Sequence, residues 1–225
     1  AASYETRRHH GYHLLVDELE AGLLLPHAAG RDVLEVGCGT GLILDRVAKV
    51  ARTAVGMDLS AGMLARSIER RLRVVQAEAT ALPFADGSFD LTCSFKVLSH
   101  VPRLDRALAE MARVTRPGGR VFAELYNRHS IRWLARLARG GDRVAPGVDD
   151  DQVFVRFYAL REMRAALPAS LRLVRIHGIR IFTPLPTLIS WPIAGPLLRW
   201  MERAGRSSPF ARFGGFLVLE CTKEG

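Results

Sequence analysis

The stretch Val33-Leu34-Glu35-Val36-Gly37-Cys38-Gly39-Thr40-Gly41 constrains this chain more than any other part of it. A short apolar run breaks into three alternate glycines and then into a helical pattern that begins at Leu42. Glycine lacks a Cβ, so such a loop adopts positive φ and lets backbone amides approach a ligand closely at a helix N-terminus. The spacing is GxGxG. Leu42 stands where a dinucleotide fingerprint needs its third glycine, and no Gly-Lys-Ser/Thr follows, which excludes a P-loop. Asp58 falls 17 residues after Gly41, at the end of the next apolar run, where a carboxylate can accept both hydrogen bonds of a ribose diol.

Around that loop, short apolar runs alternate with amphipathic stretches, with no internal repeat and no low-complexity tract. This rhythm predicts a parallel α/β sheet with crossover helices. Strands are expected over residues 32–36, 53–57, 72–77, 89–95 and 120–125, and helices over 10–24, 42–50, 60–71 and 104–114. The first helix is expected to stop before Pro26, Ser60 to cap the third, and Pro117-Gly118-Gly119 to turn the chain into the fifth strand. Beyond Leu125 the rhythm changes. A basic amphipathic helix is expected over 130–139, then a loop marked by Gly140-Gly141 and Asp149-Asp150-Asp151, a helix near 160–167 and a strand near 171–182. A proline-rich segment with a helix to about 204 and a strand over 215–221 complete seven strands. The reading is one domain, residues 1–225: an N-terminal helical cap (1–29), a core (30–125) and a second half (126–225) with insertions near 126–159 and 181–212.

Composition sharpens the division. Residues 1–125 carry 16 basic and 15 acidic side chains, net +1, while residues 126–225 carry 16 and 8, net +8. Nearly all of the positive field therefore belongs to the second half. Cys38, Cys93 and Cys221 lie far apart without CxxC or Cys/His spacing, so neither a disulfide framework nor a structural zinc site is indicated, and a reducing cytoplasm is the expected compartment. Residues 1–10 show no apolar leader. The uncharged run 181–198 reaches the lower length limit of a membrane span, but Pro184, Pro186, Pro192, Gly195 and Pro196 would interrupt a lone helix in lipid. A shallow contact at the inner face of a membrane is the alternative to a purely cytoplasmic location.

Further blocks follow the glycine loop in order: Gly56-Met57-Asp58-Leu59-Ser60-Ala61-Gly62-Met63-Leu64, Ala77-Glu78-Ala79-Thr80-Ala81-Leu82-Pro83-Phe84, Ser88-Phe89-Asp90-Leu91, Ser94-Phe95-Lys96-Val97-Leu98-Ser99-His100-Val101, and Glu110 through Arg120. Over residues 30–125 the chain resembles class I S-adenosylmethionine-dependent methyltransferases of the bacterial small-molecule type. The resemblance implies a Rossmann-like seven-stranded sheet, mostly parallel with the last strand antiparallel, and helices on both faces. It implies S-adenosylmethionine as cofactor, S-adenosylhomocysteine as product, and no metal. Gly37, Cys38, Gly39, Thr40 and Gly41 are expected to wrap the methionine end, with Glu35 beneath them and Ser94 and Phe95 closing over the chain. Asp58 is expected on the ribose, Leu59 and Met63 flanking the adenine, and Glu78, Ala79 and Thr80 at its edge. The family usually has Gly-Asp where this sequence has Ala77-Glu78.

Methyl transfer from a sulfonium is an in-line displacement, so a base matters only where the acceptor must lose a proton. His100, just past the fourth strand, is the candidate base; its competing role is a local hydrogen bond at a helix end. Tyr126, Asn127 and His129 follow the fifth strand at the same rim, as candidates for chemistry or substrate contact. Tyr4 and Tyr12 could touch cofactor or acceptor from an N-terminal helix. His9 and His13 share a helix face but lack a third ligand, so no metal is expected there. Trp191 and Arg199 belong to an apolar, proline-stiffened cap candidate edged by arginines, suited either to an apolar acceptor with an acidic group or to an anionic membrane surface.

The expected activity is methyl transfer to a small or moderately hydrophobic, acidic acceptor. The alternatives are a lipid or quinone-like acceptor at a membrane surface and a non-catalytic cofactor-binding module. Nucleic acid ranks below these as a partner: Ser94-Phe95-Lys96-Val97 is not the Asp/Asn-Pro-Pro-aromatic block of amino-base methyltransferases, and the basic half shows no recognisable RNA module.

Overall fold

Along the first half of the chain, strands and helices alternate and each strand lies parallel to its neighbours. The computed structural model describes residues 11–130, 133, 154–183 and 185–225. Helix α1 (Gly11–Ala28) precedes β1 (Asp32–Val36), α2 (Leu42–Ala48), β2 (Thr53–Asp58), α3 (Ala61–Glu69), β3 (Arg73–Gln76) and β4 (Phe89–Ser94). A 3-10 turn (Leu98–His100), α4 (Leu104–Val114) and β5 (Thr115–Tyr126) follow. The later elements are α5 (Leu160–Ala165), β6 (Leu171–Ile179), a 3-10 turn (Pro186–Ser190), α6 (Ala194–Gly205), a second such turn (Pro209–Phe213) and β7 (Phe216–Lys223).

The seven strands make one sheet in the order β3-β2-β1-β4-β5-β7-β6, and β7 runs antiparallel to both of its neighbours. The chain winds outward from β1 through β2 to β3, then returns to place β4 on the other side of β1. That reversal opens a crevice at the carboxyl ends of β1 and β4, the place where ligands enter doubly wound sheets.

Alternation along the strands sorts the core into two layers. Leu34 and Val36 join Val121, Ala123 and Leu125 in the layer covered by α4 and α5. Val33, Cys93, Phe122 and Val218 join Leu15, Leu19 and Leu24 of α1 and Ile43 of α2 on the opposite face. Period two then sends Glu35 and Glu124 to the α1 face as well, although both are buried.

Three expected boundaries move, each for a local reason. Helix α1 runs through Pro26 to Ala28 instead of stopping short. Burial of Leu23, Leu24 and Ala28 carries it on, and a proline in the final turn removes one amide donor without severing the helix body. Pro117-Gly118-Gly119 forms an excursion within β5: Thr115 pairs with Phe89 and Arg120 with Leu91, so the residues between them loop out of register, with Gly118 at φ +76°. Strand β6 ends at Ile179 because Arg180 adopts φ +60° and the next amides turn away to the Glu202 carboxylate. The helix expected over 130–139 lies almost wholly outside the described residues.

Candidate active site at the carboxyl ends of the strands

The glycine loop closes over the crevice by backbone rules. Gly37, Gly39 and Gly41 sit at φ +78°, +56° and +80°, conformations that side chains with a Cβ rarely adopt. A Cβ on Gly37 would come within 2.2 Å of Val97, and one on Gly41 within 2.4 Å of Leu72, whereas one on Gly39 would meet nothing within 4 Å. Gly37 and Gly41 are thus packed against protein, while Gly39 faces open space. The Asp58 carboxylate spans the loop, accepting from the Gly39 amide through Oδ2 and from the Ser60 amide through Oδ1, each at 2.9 Å. Each oxygen keeps a further lone-pair direction for a ligand. Helix α3 buttresses the loop from below: Ser67 Oγ donates to the Gly39 carbonyl at 3.0 Å and Arg70 Nε to that of Thr40 at 3.1 Å.

A cavity of about 570 Å³ lies under the loop, within the size range of small-molecule sites. Its polar floor is acidic. Asp17, Glu35 and Asp58 line it, with Lys96 as the single lysine or arginine among the described residues. Lys96 leaves β4 in a left-handed conformation, φ +60°, and its ammonium bridges Asp17 Oδ1 at 2.8 Å and Glu20 Oε2 at 2.6 Å on α1. Its backbone amide donates to Glu124 Oε1 at 3.0 Å. Among the described residues, Lys96 is thus the cation set into a buried layer of four carboxylates. Burial pushes the Glu35 carboxyl up to about 8, against the pull of Lys96, and Glu35 Oε2 has no hydrogen-bond partner among the described residues. Burial and the neighbouring Glu20 carboxylate raise Glu124 well above the usual range. Burial, then the charges of Glu35 and Asp58, raise the Cys38 thiol, which makes it a packing group rather than a nucleophile.

His100 lines the far wall. Its Nδ1 stands 3.0 Å from the Phe154 carbonyl, which can only accept, so Nδ1 carries the proton. Nε2 is then the basic nitrogen, and it accepts from the Tyr126 hydroxyl at 3.2 Å. The Tyr126 ring packs edge-on against His100 and Phe216 and tilted against Phe157, with centroids 5.2–5.5 Å apart. The result is an imidazole of fixed tautomer backed by an aromatic cluster.

Residues 34–123 match the methyltransferase domain family. Over that span the core is similar to methyltransferase domains. A demethylmenaquinone methyltransferase of Mycobacterium marinum is 42% identical over 123 residues, covering 49% of this chain and 53% of the relative, so the chain spans about half the length of that curated relative. Among solved structures, a SAM-dependent methyltransferase from Thermotoga maritima superposes with a TM-score of 0.65 at 21% identity, covering 94% of this chain and 89% of that one. The chain paired with the Trm112 methyltransferase activator of Haloferax volcanii gives 0.67 at 19% identity, covering 100% and 93%. At these identities the two structures speak for the fold.

The sequence-derived candidates fall into groups. Glu35, Gly37, Cys38, Gly39, Thr40, Asp58, Met63, Phe95 and His100 line one cavity, together with Ser60, expected only as a helix cap, and with Asp17, Lys96 and Val97, to which the sequence assigned no role. Gly41 sits behind that wall. Ser94 is buried at the end of β4. Leu59 is largely exposed beside β2, its carbonyl accepting from Gln76. Glu78 follows β3, where it accepts from Thr80 Oγ1 at 2.6 Å, next to buried Ala79. Tyr126 reaches the site through His100, whereas His129 is exposed. The Asn127 side chain donates to the Arg212 and Gly214 carbonyls and accepts from the His129 amide, which ties the end of β5 to the turn before β7. Tyr12 packs beneath the Arg180 guanidinium at 5.1 Å. Trp191 is exposed and Arg199 is half-buried beside the Ile189 carbonyl. Tyr4 and His9 lie outside the described residues.

Proposed function

We propose that the chain transfers a methyl group from S-adenosylmethionine to the hydroxyl, or the adjacent ring carbon, of a neutral, apolar hydroxyaromatic acceptor. The cavity residues fit the cofactor. The Gly39 backbone faces open space, Asp58 offers lone pairs at the end of β2, and the unpartnered Glu35 Oε2 offers an acceptor for an ammonium. When bound, S-adenosylmethionine supplies an electrophilic methyl on a sulfonium. Gly37 through Gly41 would hold its methionine end, Asp58 its ribose, and Met63 and Leu59 its adenine, with Glu78 and Thr80 at the ring edge.

The chain's own residues contribute alignment, dryness and one proton site. Phe95, Val97 and Ile43 give the cavity its apolar walls, which exclude water from the transfer. His100 Nε2 takes the acceptor's hydroxyl proton once that hydroxyl replaces Tyr126 as its donor, and the Phe154 carbonyl steadies the imidazolium through Nδ1–H. Phe95, which lines the cavity, would offer its ring to an aromatic acceptor.

The observation that carries this reading is the acidic cavity floor beside Phe95 and His100. An anionic acceptor, expected from the net charge of the second half, would meet the Asp17 and Asp58 carboxylates, with Lys96 as the only lysine or arginine among the described lining residues; a neutral ring meets no such field. The name of the Mycobacterium marinum relative supports the same class, a quinone-like ring. The test is transfer of a labelled methyl to matched pairs of acceptors: a long-chain naphthoquinol and a plain naphthol against the corresponding naphthoic acids. Transfer to the neutral members is expected; transfer confined to the acids would overturn the reading.

A further inference from the structure

Helix α6 wears its apolar side outward. Its inner positions are Gly195, pressed so close to the Ile189 carbonyl that a Cβ would come within 2.3 Å, Gly205 against Phe182, and Glu202. The buried Glu202 carboxylate accepts from the amides of Ile181, Phe182 and Thr183 and from the Thr183 hydroxyl, at 2.8–2.9 Å. That clamp fixes the helix and its rotation. The outer positions are Leu197, Trp200 and Ala204, continuing from Ile193, at the i, i+4, i+7, i+11 spacing of one helical stripe. Ile193 is 86% exposed, Trp200 66% and Trp191 58%. Phe210, whose ring packs 6.1 Å from that of Phe182 under the helix end, and Phe213 extend the surface. Scattered exposed apolar residues are ordinary, but a rigidly presented stripe that carries one exposed tryptophan and has a second just before it is not.

The charge around the stripe is of one sign. Arg199 and Arg212 pair with no carboxylate among the described residues, and the acidic residue of α6, Glu202, points inward and is fully engaged. Arg203 lies further along the helix and pairs with Glu18 of α1 at 3.0 Å. Tryptophan and arginine about an aliphatic stripe suit the boundary between hydrocarbon and anionic headgroups. A second copy of this chain would instead bring the same arginines face to face across a two-fold axis. We infer that this face docks the protein on an anionic lipid bilayer. The 3-10 turn Pro186–Ser190 that precedes it packs on α1, the helix carrying Asp17 of the cavity, so a docked molecule holds its site close to the lipid. The inference does not depend on which acceptor is methylated.

The test uses the whole 225-residue chain and vesicles of phosphatidylcholine with or without phosphatidylglycerol. Co-sedimentation with the anionic vesicles and a blue shift of tryptophan emission are expected, with little binding to phosphatidylcholine alone. Trp200→Glu should weaken binding at least tenfold. Arg199→Gln and Arg212→Gln should each weaken it about fivefold, the share of one arginine near an anionic surface. Unchanged far-UV circular dichroism and cofactor affinity in the variants certify their folding. Equal binding to both vesicles, no binding, or binding untouched by Trp200→Glu overturns the proposal. So does a dimer in lipid-free solution that Trp200→Glu disperses, which would assign the face to a second copy.

Discussion

The cofactor core and the α6 cap break the usual inside-outside rule in opposite directions. In the core, Asp17, Glu20, Glu35 and Glu124 point inward around one lysine. In the cap, Ile193, Leu197 and Trp200 point outward from a helix whose buried positions are two glycines and a glutamate. The buried carboxylates also differ. Glu202 meets four donors, whereas Glu35 keeps one oxygen without a partner. A satisfied buried charge is scaffold, since its desolvation is offset within the protein; an unsatisfied one beside a cavity marks a place that a ligand completes. The contrast separates what holds the molecule together from what it holds.

The sharpest way to break that contrast is through the core's proton site. His100→Ala is expected to lower kcat by roughly 10²- to 10⁴-fold, the range of general base catalysis, with cofactor affinity within twofold by calorimetry. Tyr126→Phe should cost less, because Nε2 keeps its lone pair. Turnover on a methylated acceptor that survives His100→Ala would reduce the histidine to a structural group.

On the cap side, Glu202→Ala strands three amides and a hydroxyl together. A loss of about 3 kcal/mol in denaturant unfolding is expected, from the cost of breaking a buried polar network. Hydrogen exchange at Ile181, Phe182 and Thr183 should rise with it, while cofactor affinity barely moves. Asp58→Ala is the complementary change: cofactor affinity is expected to fall well over tenfold in calorimetry, with a smaller effect on unfolding. If the two substitutions exchanged their signatures, the division between scaffold and site would collapse.

The two regions were unequally readable from sequence. Glycines that need positive φ, and strands that alternate with helices, are local signals, so the loop at Gly37–Gly41 and the position of Asp58 could be read directly. The acidic layer could not, because Asp17 and Glu20 reach Lys96 across 79 and 76 residues of chain. A trace of it was present: Glu35 and Glu124 each interrupt an apolar strand on one face. Net charge says nothing about the cavity itself, since it counts arginines without saying where they face, while Asp17 and Asp58 line the cavity floor. The helix α3 contacts of Ser67 and Arg70 left no such trace, because nothing in an amphipathic helix says which polar residue will buttress a loop.

The finest test of the contrast is the proton on Glu35. Its carboxyl titrates near 8 in the folded chain against an ordinary value of 4.5, so between those values the native state holds a proton that the unfolded chain has released. Stability should therefore fall as pH rises from about 5 toward 8, by at most about 1.4 kcal/mol per pH unit from this group. Urea unfolding of wild type and Glu35→Gln should show the slope shrinking in the variant. An ammonium seated at Oε2 favours the ionised form, so cofactor binding near pH 7 should release up to one proton. Calorimetry in buffers of different ionisation enthalpy measures that release directly. Glu35→Gln, with no proton to lose, should abolish it, whereas a Glu35 that is mere scaffold like Glu202 would bind the cofactor with the same proton balance as its glutamine variant.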